Sequence, residues 1–577
     1  MQSEKRVIVL KFGSSVLRNE SDLPTAVHEI YRWWRAGFQV VVVVSALGNT
    51  THELTQRAHS VCEQPNDELV AAFLATGEAA SSALLGLALN RSGIPTTVID
   101  AEQAGLSTEG PMLDSALTFV DAPRVLKAAK DRVVVLPGFV GKNRFGKMTL
   151  LGRGGSDLTA LFLAQRLGAE CRLIKDVDGI YSSDPNSTTG SSASRFIRVS
   201  YATAARVGGA VVQLKAIDFA ERHRLTFKVA SAGCGLATEV GPYADSAELQ
   251  EAKANPLRVA LLGCGNVGGG VYQRLAALPE LFNVVGVGTR NVEHAVCAGV
   301  PVNLITGRLE ALIAEPADVV IELLGGEEPA RTLVLKSLQL GKNVVTANKA
   351  LLADHVGSLQ RLASKSGLTL RYSAAVGGVL PAFETIKHAR SRSPLHSISG
   401  VLNGTTNFVL DQLAKGFDFR HAVFAAQKAG YAERDPQLDL NGTDAAQKLI
   451  LLARAAFDVD LPLSSVRKQG IESIGPNLIR QTQNDGRVTR LVAECHRQSH
   501  GFAATVSVVA LSSDHPLACV TGAENRLIIH SQNGRTWDVS GHGAGRWPTT
   551  EAVLSDLFDL RRESLIDLAD KDQECVA

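Results

Sequence analysis

The sequence predicts an α/β chain with two cores in tandem: a parallel-rich sheet between helices, then a dinucleotide-type βαβ unit leading into an α+β domain. Three observations predict it. Short valine-rich runs without polar alternation (Val7–Lys11, Val40–Ser45, Val133–Leu136, Cys171–Ile174) alternate with helical stretches such as Ala71–Leu89, the pattern of strands covered on both faces. A glycine-rich loop, Leu151-Gly152-Arg153-Gly154-Gly155-Ser156-Asp157, opens onto an apolar helix, Leu158–Leu167, closed by Gly168. A second loop of a different kind follows, Gly263-Cys264-Gly265-Asn266-Val267-Gly268. Two anion cradles of different design imply two phosphate-bearing ligands.

The chain's 577 residues exceed the roughly 250–300 at which a single core stops growing, so several domains are expected. Lys+Arg at 59 against Asp+Glu at 58 leaves no basic excess for nucleic acid or an anionic membrane. No apolar run is expected to reach the roughly 18 residues that span a bilayer. The first strand begins close to Met1, which leaves little room for a targeting segment. Eight cysteines without CxxC spacing argue for free thiols in a reducing compartment, so a cytoplasmic protein is expected.

In the first half the polar residues gather at strand ends, where ligands bind in such sheets. The first strand runs into Lys11-Phe12-Gly13-Ser14-Ser15 and the second into Ser45-Ala46-Leu47-Gly48-Asn49-Thr50-Thr51. Glycines there let backbone N–H groups approach phosphate, and a lysine neutralises the transferring group. A strand-end Gly-Ser turn alone is more often only a turn. In the Gly152–Asp157 loop, Ser156 or Asp157 would serve as a helix N-cap, but a cap requires neither Arg153 nor three glycines. After the strand Cys171–Ile174 come Lys175-Asp176-Val177-Asp178-Gly179-Ile180-Tyr181 and Asp184-Pro185, whose carboxylates suit magnesium and a nucleotide, or equally a solvated turn.

Taken in order, these pieces resemble the amino-acid kinase family, and within it aspartate kinases, over roughly Val7 to Gly241, including Val199-Ser200-Tyr201 and Leu236–Gly241. There is no GxxxxGK[ST] motif. The resemblance implies that Lys11 bridges the phosphates and that Asp157 organises catalytic lysines or the metal. It implies aspartate binding by Ser45, Thr51, Glu78, Arg153 and Ser156, with the Arg153 fork on a carboxylate. It implies an ATP–Mg²⁺ site at Gly13, Ser14, Lys175, Asp176, Tyr181 and Asp184. The opening Lys-Phe-Gly-Ser-Ser-Val is one residue short of the usual aspartate-kinase form, and Lys175 stands where those kinases generally carry threonine. Two alternatives therefore stay open: another acceptor such as glutamate, or a silent nucleotide-binding module that regulates the second half.

Pro242–Pro256 reads as a linker, followed at once by strand Arg258–Leu262, the Gly263–Gly268 loop, helix Val271–Leu278 and strand Val284–Val287. At the end of that second strand stand Gly288-Thr289-Arg290-Asn291, where NAD-preferring proteins usually place an acid; an arginine beside a hydroxyl suits a 2′-phosphate, so NADP(H) is expected, with NAD(H) as the alternative. Further on come Glu322-Leu323-Leu324-Gly325-Gly326, Thr346-Ala347-Asn348-Lys349, Ala375-Val376-Gly377-Gly378, Asn403-Gly404-Thr405-Thr406-Asn407, and Gly430–Pro436 running into Asp439. Asp444 and Lys448 are four apart on an apolar helix and share a face.

This series resembles homoserine dehydrogenase, from Arg258 through Gly541–Gly545 to Asp556. The resemblance implies that Lys349 and Lys448 flank the carbonyl of aspartate semialdehyde, with Lys448 the proton donor. Glu433 and Asp444 would hold the substrate ammonium group, and Gly404 and Thr405 would lie near nicotinamide and substrate. The cofactor would sit on Gly263, Gly265, Asn266, Val267, Gly268, Thr289, Arg290, Gly325 and Lys349, with a monovalent cation as a further expectation. Together the resemblances imply a bifunctional aspartate kinase–homoserine dehydrogenase type of enzyme. Its expected domains are a kinase domain 1–242, linker 243–256, Rossmann domain 257–385, catalytic and dimerisation domain 386–540, and a segment 541–577 returning to the nucleotide-binding domain. A homo-oligomer, dimer or tetramer, is expected from the families. The short linker leaves no room for regulatory ACT domains between the halves, so insensitivity to threonine and lysine is expected.

Overall fold

A computed structural model describes residues 6–183, 193–209, 211–248 and 255–576. The chain divides into two compact units, Met1–Ala254 with Ser564–Ala577, and Asn255–Glu563.

The first unit is built on a nine-stranded sheet. Its central strands Val7–Phe12, Gln39–Val44, Val133–Pro137 and Glu170–Lys175 run parallel, each within one or two residues of the run read from sequence. They are buried on both faces, so the β-branched runs carry no polar alternation. Past Glu170–Lys175 the sheet continues through Phe227–Ser231, Thr238–Gly241 and Arg195–Ser200. It ends on Ser246–Glu248, antiparallel to Arg195–Ser200. That edge strand lies inside the stretch read as linker, so the sheet extends past residue 242. A smaller four-stranded sheet holds Ser107–Glu109, Ala116–Phe119, Val140–Lys142 and Met148–Leu150.

The helix Asp67–Arg91 corrects one expectation. Its length and mean hydropathy of 1.5 over an 18-residue window would suffice to cross a membrane. It is instead half sunk into this unit, with Val70, Ala71, Leu74, Leu85 and Leu89 buried in or beside the sheet core. Gly77 permits the close approach: a Cβ there would lie 3.2–3.3 Å from Ala46, Leu54 and Thr50. The helix Gly155–Leu167 also starts earlier than expected. Its N-cap is Gly154 in the left-handed region (φ +82°), so Ser156 and Asp157 do not cap it but sit within its first turn.

The second unit opens with a six-stranded parallel sheet in the order Ile305–Thr306, Phe282–Gly288, Leu257–Leu262, Val319–Glu322, Asn343–Thr346, Leu370–Arg371. Numbered along the unit this is 3-2-1-4-5-6, the doubly wound arrangement whose ligand crevice lies between the first and fourth strands. The helix Asn266–Ala276 follows the glycine loop directly. A second six-stranded sheet, mostly antiparallel, runs Arg467–Lys468, Phe502–Ser512, Arg487–Arg497, Leu395–Val401, Glu524–Ser531, Thr536–His542. The helix Thr443–Phe457 packs on it, its apolar residues Ala446, Leu449, Leu452 and Ala453 buried with Ile398, Leu491 and Leu527. The helix Arg546–Val576 then returns to the first sheet of the unit, where Val553, Leu557 and Phe558 join Val259, Leu261 and Val271.

Two candidate active sites

In the first unit Lys11 and Lys175 lie at the carboxyl ends of neighbouring parallel strands. Asp157 enters from the first turn of Gly155–Leu167. Lys11 Nζ lies 2.7 Å from Asp157 Oδ1, and Lys175 Nζ donates to Oδ2 at 2.8 Å. All three are at most 8% exposed. Burial pushes the Asp157 carboxyl toward the neutral form, but the two ammonium groups outweigh it and hold it below the usual range. Burial first and Lys11 second pull Lys175 down to about 8, against the pull of Asp157. The cluster keeps one net positive charge, buried at a helix N-terminus, an arrangement suited to charge on a transferring group.

The glycines give this cluster room. A Cβ at Gly13 would stand 2.6 Å from Lys11 Nζ, and one at Gly138 would stand 2.7 Å from Ser156 Cβ. Ser45 follows its strand and donates its backbone N–H to the Phe12 carbonyl at 3.1 Å. Beside it Glu78, 2% exposed, accepts from the Ala46 N–H at 3.4 Å through one oxygen, while the other has no partner. Burial raises its pKa to about 7. Thr51 sits half-buried in helix Thr50–Val61, and Ser156 is buried next to Asp157. Arg153, Ser14 and Asp176 are exposed around the cluster rather than bonded into it. The Tyr181 hydroxyl donates to Asp178 at 2.7 Å, and Asp184 lies outside the described residues. Sequence reading missed Lys215, which donates to Asp114 Oδ1 at 2.6 Å and to the Leu151 carbonyl at 2.7 Å, bracing the glycine loop. No local spacing signals a contact between residues so far apart in the chain.

In the second unit the three loop glycines do separate work. Gly263 has φ +96°, and a Cβ there would meet the Leu323 carbonyl oxygen at 2.5 Å. Gly268 would place a Cβ 2.0 Å from the Gly263 carbonyl oxygen, whereas Gly265, at the N-cap of Asn266–Ala276, faces open space. That is the space a pyrophosphate needs against the helix N-terminus. Asn266 is exposed and Val267 half-buried beside it. Thr289 is buried and its hydroxyl accepts from the Asn291 N–H at 3.1 Å, while Arg290 is exposed at the strand end. Gly325 and Gly326 both have φ above +70° and face open space.

Asp444 and Lys448 are buried on the helix Thr443–Phe457, Nζ to Oδ2 2.8 Å, and Lys349 from the start of Lys349–Lys365 pairs with Oδ1. The pair is therefore no solvated surface bridge: Asp444 is 1% exposed and Lys448 5%. Burial would raise the Asp444 carboxyl, yet both lysines drive it far below its ordinary value. Burial lowers Lys448, Lys349 lowers it further, and Asp444 only partly offsets them. Burial also lowers Lys349, but the Asp444 carboxylate more than compensates and the net shift is upward. Lys448 Nζ donates also to the Leu402 carbonyl at 2.8 Å, leaving one of its three N–H groups for a ligand.

Around this trio stand Asn403 and Asp439, quoted in the sequence motifs but given no role, with Thr405 beside them. Asn403 donates through Nδ2 to both Asp439 (2.7 Å) and Asp444 (2.8 Å). The Thr405 hydroxyl donates to the Tyr431 carbonyl at 2.6 Å and lies 3.0 Å from Asp439 Oδ2. A Cβ at Gly404 would press on Ala523 at 2.9 Å. Glu433 is exposed at the rim, where its charge still favours the protonated form of Lys349. Among the described residues no three His, Cys, Asp or Glu side chains gather as metal ligands.

Comparison with known proteins agrees with this division. Residues 6–231 match the amino acid kinase family model. Residues 263–373 match the homoserine dehydrogenase NAD-binding domain and 381–558 the homoserine dehydrogenase domain. The chain is 34% identical to the homoserine dehydrogenase of Synechocystis sp., over 53% of this chain and 73% of that protein. It is likewise 34% identical to that of Mycobacterium tuberculosis, over 54% and 74%. The crystal structure of a homoserine dehydrogenase from Thiobacillus denitrificans matches with a TM-score of 0.51 at 32% identity, over 54% of this chain and 74% of that one.

Proposed function

We propose, for a chain that belongs to the homoserine dehydrogenase family and carries an amino acid kinase domain ahead of it, that it catalyses two separated steps on one carbon skeleton. The first unit would transfer the γ-phosphoryl of ATP to the side-chain carboxylate of L-aspartate. The second would reduce L-aspartate 4-semialdehyde to L-homoserine, with NADPH as the preferred reductant. The intervening reduction of the acyl phosphate requires another enzyme.

The observation that carries the dehydrogenase reading is the buried Asp444–Lys448 pair, reached by the half-exposed Lys349, beside a dinucleotide crevice. The bound nicotinamide supplies the hydride. As charge develops on the aldehyde oxygen, the free N–H of Lys448 delivers the proton, and its lowered pKa makes that transfer easier. Lys349 stays charged and stabilises the oxygen electrostatically. Asp444, expected with Glu433 to hold the substrate ammonium, has an oxygen on each lysine, so Asp439 and Glu433 would face that ammonium instead, while Asn403 keeps Asp439 and Asp444 in register. The open space at Gly265 and the guanidinium of Arg290 fit a dinucleotide with a 2′-phosphate.

In the kinase, Lys11 and Lys175 would neutralise the phosphoryl group in flight while Asp157 fixes both. Mg²⁺ would arrive on ATP, held by phosphate oxygens and water. The unpartnered Glu78 oxygen suits the substrate ammonium and Arg153 its α-carboxylate. An intact trio argues against a silent module. This reading includes a cytoplasmic homo-oligomer acting on small molecules; the balanced charge leaves no basic excess for nucleic acid.

Two assays test it. Homoserine-dependent reduction of NADP⁺ must appear and must vanish in Lys448→Met. ATP-dependent acyl-hydroxamate must form with aspartate and be lost in Asp157→Asn. Product with glutamate alone would reassign the acceptor, and product with neither would reduce the first unit to a silent domain.

A further inference from the structure

Glu322 is the last residue of Val319–Glu322, at the strand where the sheet order reverses. It pairs in register with Leu262, just before the dinucleotide loop, and with Thr346 on the other side. Its exposure is 0%. Among the described residues no lysine, arginine or histidine pairs with it, and burial raises its pKa. A buried carboxylate without a cation is costly and survives only where its acceptors are used.

Here both oxygens accept hydrogen bonds. Thr346 Oγ1 donates to Oε2 at 2.6 Å, the Leu324 N–H to Oε1 at 2.8 Å, and Asn348 Nδ2 lies 3.4 Å from Oε1. Asn348 in turn donates through Nδ2 to the Gly326 carbonyl at 2.6 Å, and its Oδ1 caps the helix by accepting from Leu351 N–H at 3.2 Å. Its own N–H donates to Thr346 Oγ1 at 3.0 Å. Lys349 is the next residue. On the other side, Leu323 fills the position against which Gly263 must lack a side chain. One carboxylate thus ties three pieces together: the Gly263 loop, the Leu324–Gly326 turn, and the residue that launches Lys349.

We infer that Glu322 is a positioning residue of the dehydrogenase: it locks Asn348 and Thr346 to the Leu324–Gly326 turn and so fixes the Lys349 ammonium relative to the dinucleotide loop. This rests on the dehydrogenase reading. Glu322 itself touches neither the Lys349–Asp444–Lys448 trio nor the open face of the loop.

The test uses the full-length protein with Glu322→Gln, Glu322→Asp and Thr346→Val. It measures kcat and KM for homoserine and NADP⁺, NADPH binding by fluorescence, and thermal unfolding. Gln keeps the shape but replaces one acceptor by a donor, so kcat should fall on the order of 10²-fold, the scale of an ångström-sized misplacement. NADPH binding should weaken several-fold while the KM for homoserine holds. Asp keeps the charge but is too short to reach, so it should not rescue. Thr346→Val should add little to Glu322→Gln, since both cut one network. The inference is overturned if Glu322→Gln keeps wild-type kcat and NADPH affinity, if Asp restores full rate, or if activity falls only in proportion to the folded fraction. A wild-type protein without homoserine-dependent NADP⁺ reduction would overturn the dehydrogenase reading itself.

Discussion

Lys448 stands one helical turn from Asp444, with Nζ 2.8 Å from Oδ2, and Lys349 takes the other oxygen of the same carboxylate. The first unit repeats the device with Lys11 and Lys175 on Asp157. In each case a buried aspartate keeps two ammonium groups close without their expelling one another, and the site retains a net positive charge for a developing oxyanion.

Removing the proposed proton donor tests the second trio. Lys448→Met should lower kcat for semialdehyde reduction by about 10²–10⁴-fold, the usual contribution of a general acid. Asp444→Asn removes what opposes the lowering of the Lys448 pKa, so the alkaline limb of the reduction rate should move to lower pH. The hydroxamate assay of the kinase should be unchanged in both variants. An unshifted limb in Asp444→Asn would exclude Lys448 as the donor.

The kinase should lose rate as pH rises through about 8, where Lys175 gives up its proton. Lys175→Arg should keep the rate level through that range. Folding lowers this pKa, so between about 8 and the ordinary 10.5 the unfolded chain binds the extra proton and the native state gains stability as pH rises. A pH–rate profile with no limb near 8 that Lys175→Arg removes would contradict the assignment.

Glu78 carries the opposite sign. Its pKa rises from 4.5 to about 7 on folding, so the native state binds the extra proton and loses stability as pH climbs through that window. A displacement of this size is worth up to roughly 3 kcal/mol. Glu78→Gln should therefore raise the Tm of the kinase unit at pH 8 while increasing the KM for aspartate at least about 10-fold, the loss of one charge-assisted bond. Calorimetry and the hydroxamate assay read the two effects separately.

Gly265 and Gly268 should fail in different ways when changed to alanine. A Cβ at Gly265 meets nothing, so that variant should unfold like wild type and lose only NADPH affinity. At Gly268 it would stand 2.0 Å from a backbone oxygen, so Gly268→Ala should cost about 1–3 kcal/mol of stability as well. Thermal unfolding with and without NADPH separates the two.

Arg290→Ala should cut the preference for NADPH over NADH by about 10-fold, the loss of one guanidinium–phosphate contact, and leave the NADH rate unchanged. Steady-state rates with the two cofactors check it.

What could be read from the chain follows from how local the signal is. Val40–Val44 and Val133–Leu136 declare themselves because strands covered on both faces carry unbroken β-branched runs. Asp444 and Lys448 were legible because four residues make one helical turn. Ser246–Glu248 was not, since three residues, Ser-Ala-Glu, at a sheet edge carry no periodicity. The union of Lys11, Asp157 and Lys175 depends on which strands lie side by side, and no spacing encodes that. Glu322 looked like part of a glycine-turn motif; only its burial between Leu262 and Thr346 shows what it holds. Ser156 and Asp157 as caps were displaced by Gly154, whose left-handed backbone turns the chain without a side chain.

The return of the helix beginning at Arg546 sets an order on synthesis. Val553, Leu557 and Phe558 fill a core whose other walls, Val259, Leu261 and Val271, leave the ribosome nearly three hundred residues earlier. The kinase sheet closes without them and is free to fold while translation continues. The dinucleotide crevice must wait, its apolar floor uncovered until the last stretch of the message has been read. A nonsense codon shortly before Arg546 would thus leave the kinase sheet fused to an exposed, chaperone-dependent half.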